Sequence, residues 1–326
     1  MKERRELAIA EHINNNWLRR GLRTGSALLL VAFILLCTFV VAQEGGDKTY
    51  IDKKTDYWYQ RGLQSAGEGS YEEALLAYDK AIQIDPENVG AWDGKALALK
   101  SLSFIENDPD RFNESLKAYD MSIELYDRKI KANPQDTNAL YYKGLALTGR
   151  ALAMKAGEKL NISSDKEERI RYFEEAIRAY DMAIEVDPKY VTALKNKGNV
   201  LYSLGRYNES LEVLEKAIEI VPEYGLAWYS KGLTLYELGR YDEAAQAYDK
   251  ALETFPDNAG IWYNKANALK ALGQYDAAIE GYDYAIKLDP SLAEAWQGKG
   301  EAFEKLGLDT SADAAYDRAR QLGYGG

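Results

Sequence analysis

The stretch VTALKNKGNVLYSLGRYNESLEVLEKAIEIVPEY (191–224) runs without a gap into GLAWYSKGLTLYELGRYDEAAQAYDKALETFPDN (225–258) and then AGIWYNKANALKALGQYDAAIEGYDYAIKLDPSL (259–292), each block 34 residues long. A fixed period of this size marks a repeat architecture. Working outward, further copies start at Thr55, Val89, Thr137 and Ala293, so seven copies fill residues 55–323. Within each copy, apolar residues recur three and four apart on two segments, which predicts two amphipathic helices. The first carries a large residue at its fourth position: Trp58, Trp92, Leu140, Leu194, Trp228, Trp262 and Trp296. The second carries Tyr78, Tyr119, Tyr180, Leu214, Tyr248, Tyr282 and Tyr316. Small residues such as Gly62, Gly144 and Gly232, or Ala74, Ala176 and Ala244, stand where helices must approach closely, and small against large permits dense packing. Gly205, Gly239, Gly273 and Gly307 stop first helices, and Pro86, Pro134, Pro188, Pro222, Pro256 and Pro290 open the next connections.

The unit W-x-x-K-G-x-A-L-x-x-L-G-x-Y-x-E-A-x-x-x-Y-D-x-A-I-x-x-x-P closely resembles the tetratricopeptide repeat (TPR) over essentially all of residues 55–323. The resemblance implies an all-α fold: a right-handed superhelical solenoid of seven hairpins. It also implies a protein-interaction scaffold that binds protein or peptide segments along a concave wall of first helices. Carried onto this chain, the wall positions are Tyr59, Asp93, Tyr141, Lys195, Asn199, Tyr202, Tyr229, Tyr236, Tyr263, Asn267, Gln297 and Glu301. Exposed Tyr offers large contact area at low entropy cost, and packing between adjacent first helices is the other use open to these rings. The carboxylate clamp of chaperone-binding relatives is not reproduced. Lys195 and Asn199 match, but Ser230, Gly260 and Asn264 stand where Asn, Lys and Arg are expected.

Two copies depart from the period. The second has about seven extra residues between its helices, around Ser101–Asp110, and about seven more before Pro134, where Met121–Lys131 reads as a lengthened second helix. The third has about twenty extra residues between Gly144 and Ala176, with a polar break at Asn161–Asp165. Insertions in such a stack are expected to protrude at its edges.

In front of the repeats, SALLLVAFILLCTFVVA (26–42) carries no charge. Seventeen residues are near the minimum for a helix spanning a hydrocarbon core of ~30 Å. Arg19, Arg20 and Arg23 all precede it, so an anchor here would keep residues 1–25 in the cytoplasm and place the array on the far side. A secretory signal cleaved after Ala42, with Val40 two residues before it, is the competing reading; the 25 residues upstream are long for one. The polar linker 43–54 can reach at most ~40 Å, so a retained anchor holds the array close to the membrane.

Charge and residue types exclude more than they specify. The formal net charge is −11, and because residues 1–42 carry a basic excess, the remainder is more acidic still. An acidic body repels phosphate backbones, so no nucleic-acid partner is expected. Cys37 and His12 are the only residues of their types, and both precede the array. Thiol, imidazole and Cys/His zinc chemistry are therefore excluded from it, and no catalytic residue, cofactor, metal or small-molecule substrate is expected. Carboxylate pairs such as Glu72-Glu73 and Glu174-Glu175 read as solvated helix faces. Asn113, Asn161 and Asn208 open N-x-Ser sequons, the first and last placed in hairpin turns, and an extracytoplasmic array would make them glycosylation candidates. The alternative to a partner-binding scaffold is a structural component of a cell-envelope complex that self-associates through the uncapped last hairpin.

Overall fold

The structure, a computed structural model, describes residues 50–160, 162 and 165–325. The apolar segment 26–42, the tail before it and Asn161 lie outside the described residues. Among the described residues no helix is long and apolar enough to cross a membrane. The chain divides into two compact units, one up to Pro188 and one from Lys189 onward.

The first unit holds three hairpins: α1 (Tyr50–Gly67) with α2 (Tyr71–Ile84), α3 (Val89–Glu106) with α4 (Pro109–Ala132), and α5 (Thr137–Gly157) with α6 (Lys166–Val186). The second holds four: α7 (Val191–Ser203) with α8 (Tyr207–Ile220), α9 (Gly225–Glu237) with α10 (Tyr241–Thr254), α11 (Ala259–Ala271) with α12 (Tyr275–Leu288), and α13 (Ala293–Lys305) with α14 (Asp309–Gln321). Helix α1 begins inside the stretch read as linker, because the residues after Gly46 contain no breaker and can extend it backward.

The regular hairpins turn the same way. Gly205, at φ +74°, ends α7 in a left-handed conformation, and the Arg206 and Gly205 amides donate back to the carbonyls of Leu201 and Tyr202. Extended residues before Pro, such as Asp85 and Asp289, then end the second helices. The large-on-small pairing is exact at the atomic level. A Cβ on Gly62, Gly144, Gly232 or Gly300 would stand 2.5 Å from the ring of Tyr78, Tyr180, Tyr248 or Tyr316. Tyr78 is pressed from the other side by Gly94 of the next hairpin, and Tyr282 by Gly298. One side chain thus fills both the gap within a hairpin and the gap to its neighbour.

A second device joins consecutive hairpins. Trp92, Trp228, Trp262 and Trp296 donate their indole N–H to the carbonyls of Pro86, Pro222, Pro256 and Pro290, at 2.7–3.3 Å. Three residues on, Lys95, Lys231, Lys265 and Lys299 lie 5.3–5.7 Å from those ring centroids. Each ammonium reaches back to Asp79, Glu215, Asp249 or Asp283 of the preceding second helix, at 2.5–2.8 Å. Indole, proline carbonyl, lysine and acid form one clasp across each of these four joints.

Among the described residues most of the inserted length is helical. Helix α3 runs to Glu106 and α4 starts at Pro109, so the second copy spends its extra residues on helices of 18 and 24 residues; α5 and α6 are 21 each, against 13 and 14 in the regular copies. The added turns bury a layer of their own. Phe112 packs where a Cβ on Gly157 would come within 2.6 Å, and Leu147, Ala151, Ala153 and Met154 are buried beside it. Arg150 is buried too. It donates to Asp120 through Nε at 2.5 Å and lies 4.1 Å from the Tyr172 ring centroid, tying α4, α5 and α6 together. The expected protrusion is therefore a deeper packed hairpin, because Ser101–Glu106 and Leu147–Gly157 continue the helical stripe without a breaker that stops it.

Candidate first-helix binding wall

Three positions of each first helix, its fifth, ninth and twelfth residues, make one stripe by helical spacing. In the first unit the stripe is closed. The ninth residues are Leu63, Leu97 and Leu145, all buried. Among the wall residues expected from sequence, Tyr59 and Tyr141 are buried with their rings tilted on Tyr78 and Tyr180, centroids 6.3 and 6.0 Å apart. Asp93 is buried as well, accepting a hydrogen bond from the Tyr126 hydroxyl at 2.9 Å and another from the Ser122 hydroxyl. Burial pushes its carboxyl up to about 6 despite those bonds and the nearby Lys129 charge. These three do not line an open surface. Tyr59 is covered by Tyr78 and by the start of α3 at Gly90, and Asp93 by Ser122 and Tyr126 of α4.

In the second unit the stripe is polar and largely accessible. Lys195 is buried, Asn199 is exposed, and Tyr202, Tyr229, Tyr236, Tyr263, Asn267, Gln297 and Glu301 are half-buried. Hydrogen bonds link each first helix to the next. The Tyr202 hydroxyl (α7) donates to Glu237 (α9) at 3.2 Å, Asn264 (α11) donates to the Tyr229 hydroxyl (α9) at 3.0 Å, and Lys270 (α11) meets Glu301 (α13) at 2.5 Å. Within hairpins, Tyr282 donates to Asn267 and Gln297 to Glu301. Burial pulls the Glu301 carboxyl upward, but the bonds from Lys270 and Gln297 outweigh it and hold it below the usual carboxylate range. Burial and the Glu237 carboxylate keep the Tyr202 phenol raised and neutral.

Sequence reasoning passed over two cations of this stripe. Lys100 and Lys270 occupy the same twelfth position as Tyr202 and Tyr236, so register alone points to them. Lys100 is buried, and desolvation brings its ammonium down to about 8. The sequons look different in the structure. Asn113 and Asn208 are exposed, but both sit inside second helices, near the starts of α4 and α8, rather than in turns. Their third residues, Ser115 and Ser210, are fully buried at the small packing position, and Ser210 donates to the Gly198 carbonyl at 2.8 Å. The N-x-Ser pattern there follows from the packing rule of the repeat.

Models of the tetratricopeptide repeat match residues 55–88, 169–225, 202–259 and 235–301, together about half of the chain. The chain belongs to the tetratricopeptide repeat family. It is an all-α TPR scaffold, and the residues between the first two matches are the lengthened hairpins. Over 64 residues it is 38% identical to an uncharacterised protein of Methanocaldococcus jannaschii, covering 20% of this chain and 74% of that one. Over 137 residues it is 24% identical to the photosystem I assembly protein Ycf3 of Prochlorococcus marinus, covering 42% and 69%. Among solved TPR structures, MamA aligns with 27% identity over 49% of this chain and 96% of its own, at a TM-score of 0.46. YrrB, described as a TPR protein with an unusual peptide-binding site, aligns with 21% identity over 61% and 92%, also at 0.46.

Proposed function

We propose that the polar first-helix stripe of the second unit binds an extended segment of a partner protein, and that residues 26–42 tether the array to a membrane with the array outside the cytoplasm. The observation that carries the binding reading is the contrast in chemistry along one stripe. Asn199, Tyr202, Tyr236, Asn267 and Lys270 offer amides, phenols and an ammonium along these helices, and bonds between first helices hold Tyr202 and Lys270, and one within the hairpin Asn267, in place before a ligand arrives. Preorganised polar groups of this kind suit the repeated amides of an extended peptide, because little ordering is left to be done on binding. The relative in Prochlorococcus is named an assembly protein, which agrees with a role in holding other proteins. The tether rests on the uncharged run and the three arginines before it.

The test is recovery of a partner from detergent-solubilised membranes with the full chain as bait. The partner should be retained by the unsubstituted chain and lost from an Asn199→Arg, Tyr236→Ala double variant. A partner held equally by both would remove the stripe from consideration. Proteolysis of intact and opened cells tests the tether: digestion only after opening would place the array in the cytoplasm. One observation favours a second reading, self-association through the last hairpin. Leu306, Leu308 and Tyr324 are exposed there, and Tyr316 lacks the burial of its counterparts. Light scattering separates the two, since a strict monomer counts against self-assembly.

A further inference from the structure

The clasp between hairpins is complete at four joints and lacks one part at a fifth. Between the second and third hairpins, Lys143 reaches back to Asp127 at 2.5 Å, sixteen residues earlier, as the other clasp lysines do. Pro134 stands six residues before the fourth position, as Pro86, Pro222, Pro256 and Pro290 do elsewhere. The fourth position itself is Leu140, not Trp. Leu140 is buried, and over it opens a cavity of about 300 Å³. Its walls are Ile130 of α4, Leu140 and Lys143 of α5, and Glu175, Arg178, Ala179 and Met182 of α6. Two of these places, those of Lys143 and Met182, stand against an indole in other copies. At the sixth hairpin, for example, Tyr284 occupies the position of Met182 and stacks on Trp262, centroids 4.6 Å apart. At the first, Lys80 holds that position 4.0 Å from the Trp58 ring centroid.

We propose that this cavity on the second-helix side of the first unit takes a tryptophan side chain presented by a partner polypeptide. The volume is at the small end of pockets that take organic ligands, roughly 300–1,000 Å³. Ile130, Leu140, Ala179 and Met182 supply apolar walls, and a thioether beside an aromatic ring is a favourable contact. Electrostatic complementarity selects an indole over an aliphatic group. Lys143, bridged to Asp127 as the clasp lysines are bridged to their acids, stands at the rim with Arg178, 3.9 Å from Glu175, and cations are attracted to the face of a π-system, most strongly to indole. Pro134 offers a carbonyl in the register that accepts an indole N–H at the four intact joints. The site is separate from the polar stripe of the second unit and does not depend on it.

The test is ¹⁹F NMR of 5-fluoroindole titrated into the full chain. Saturable binding is expected, displaced by N-acetyl-tryptophanamide and not by N-acetyl-leucinamide. Leu140→Trp should abolish it by supplying the indole internally, with helix content unchanged and melting temperature raised. Met182→Glu, at an exposed rim position that tolerates a charge, should also abolish it and serves if Leu140→Trp folds poorly. Lys143→Met should weaken binding about two- to fivefold. Absence of saturable binding, binding untouched by both Leu140→Trp and Met182→Glu, or equal displacement by the leucine compound would overturn the proposal. Binding that appears only in a Trp17→Ala chain would give the cavity to the protein's own N-terminal segment and overturn a partner as occupant.

Discussion

The two units are written in one motif and use it for different ends. At the ninth position of the first helix the first unit has Leu63, Leu97 and Leu145; the second has Asn199, Leu233, Asn267 and Glu301. The first buries its stripe and adds turns to four helices, gaining a second apolar layer around Phe112 and Met154. The second keeps the minimal 13- and 14-residue helices and ties its first helices together with polar bonds that leave surface over. A repeat thus has a fixed interior, the Gly–Tyr contact and the clasp, and a free stripe that can be spent on rigidity or on recognition.

The largest effect that would break this comparison is expected at Phe112. Removing its buried ring with Phe112→Ala should cost the first unit about 3–5 kcal/mol. Hydrogen exchange should show the loss in α3–α6, while amides of α9–α12 keep their protection, since each repeat depends chiefly on its neighbours. Equal loss in both units would mean that the added layer is not a local device.

A smaller effect comes from Asp93. Its folded carboxyl titrates near pH 6, above the roughly 3.9 of an unfolded chain, because burial disfavours the charged form. Between those values the folded state holds more protons than the unfolded one. Stability should therefore fall as pH rises from about 4 to about 6 and level off above. Asp93→Asn should remove that slope and raise stability at pH 8 by up to about 3 kcal/mol, measured by urea unfolding at pH 4.5 and 8. A variant with the same slope would remove Asp93 as its source.

The smallest effect on stability, and the sharpest on function, is expected at Lys270. Its bridge to Glu301 is partly solvated, so Lys270→Met should change stability by less than about 1 kcal/mol. The Glu301 carboxyl should move upward in a pH titration followed by carboxyl NMR. Partner retention should fall in the same variant, which separates a recognition stripe from a structural one.

Much of this was legible beforehand, and the exceptions share a cause. The period placed Gly62 against Tyr78 and Gly232 against Tyr248, because those contacts are local and repeat in every copy. Forcing a 34-residue frame onto the second copy turned Ser101–Glu106 into a connection, although Phe104 and Ile105 interrupt no helix. Exposure was harder still. Tyr141 and Tyr263 occupy the same position, yet Tyr141 is buried and Tyr263 is half-buried, and register position does not record that difference. The placement of Asn113 and Asn208 in hairpin turns failed for a related reason: their serines answer to the repeat's need for a small residue inside the second helix.

The clasp also bears on how such a chain can grow. Every intact joint is made half by the tail of one copy, an acid and a proline, and half by the head of the next, a tryptophan and a lysine. Any copy with both halves can follow any other, so duplicating or deleting residues 225–258 would leave matching ends in contact. The second and third copies are not interchangeable in this way. Their long helices are matched to each other, and the heads of the third and fourth copies carry Leu140 and Leu194 in place of tryptophan, so it is there that the order of copies is written into the chain.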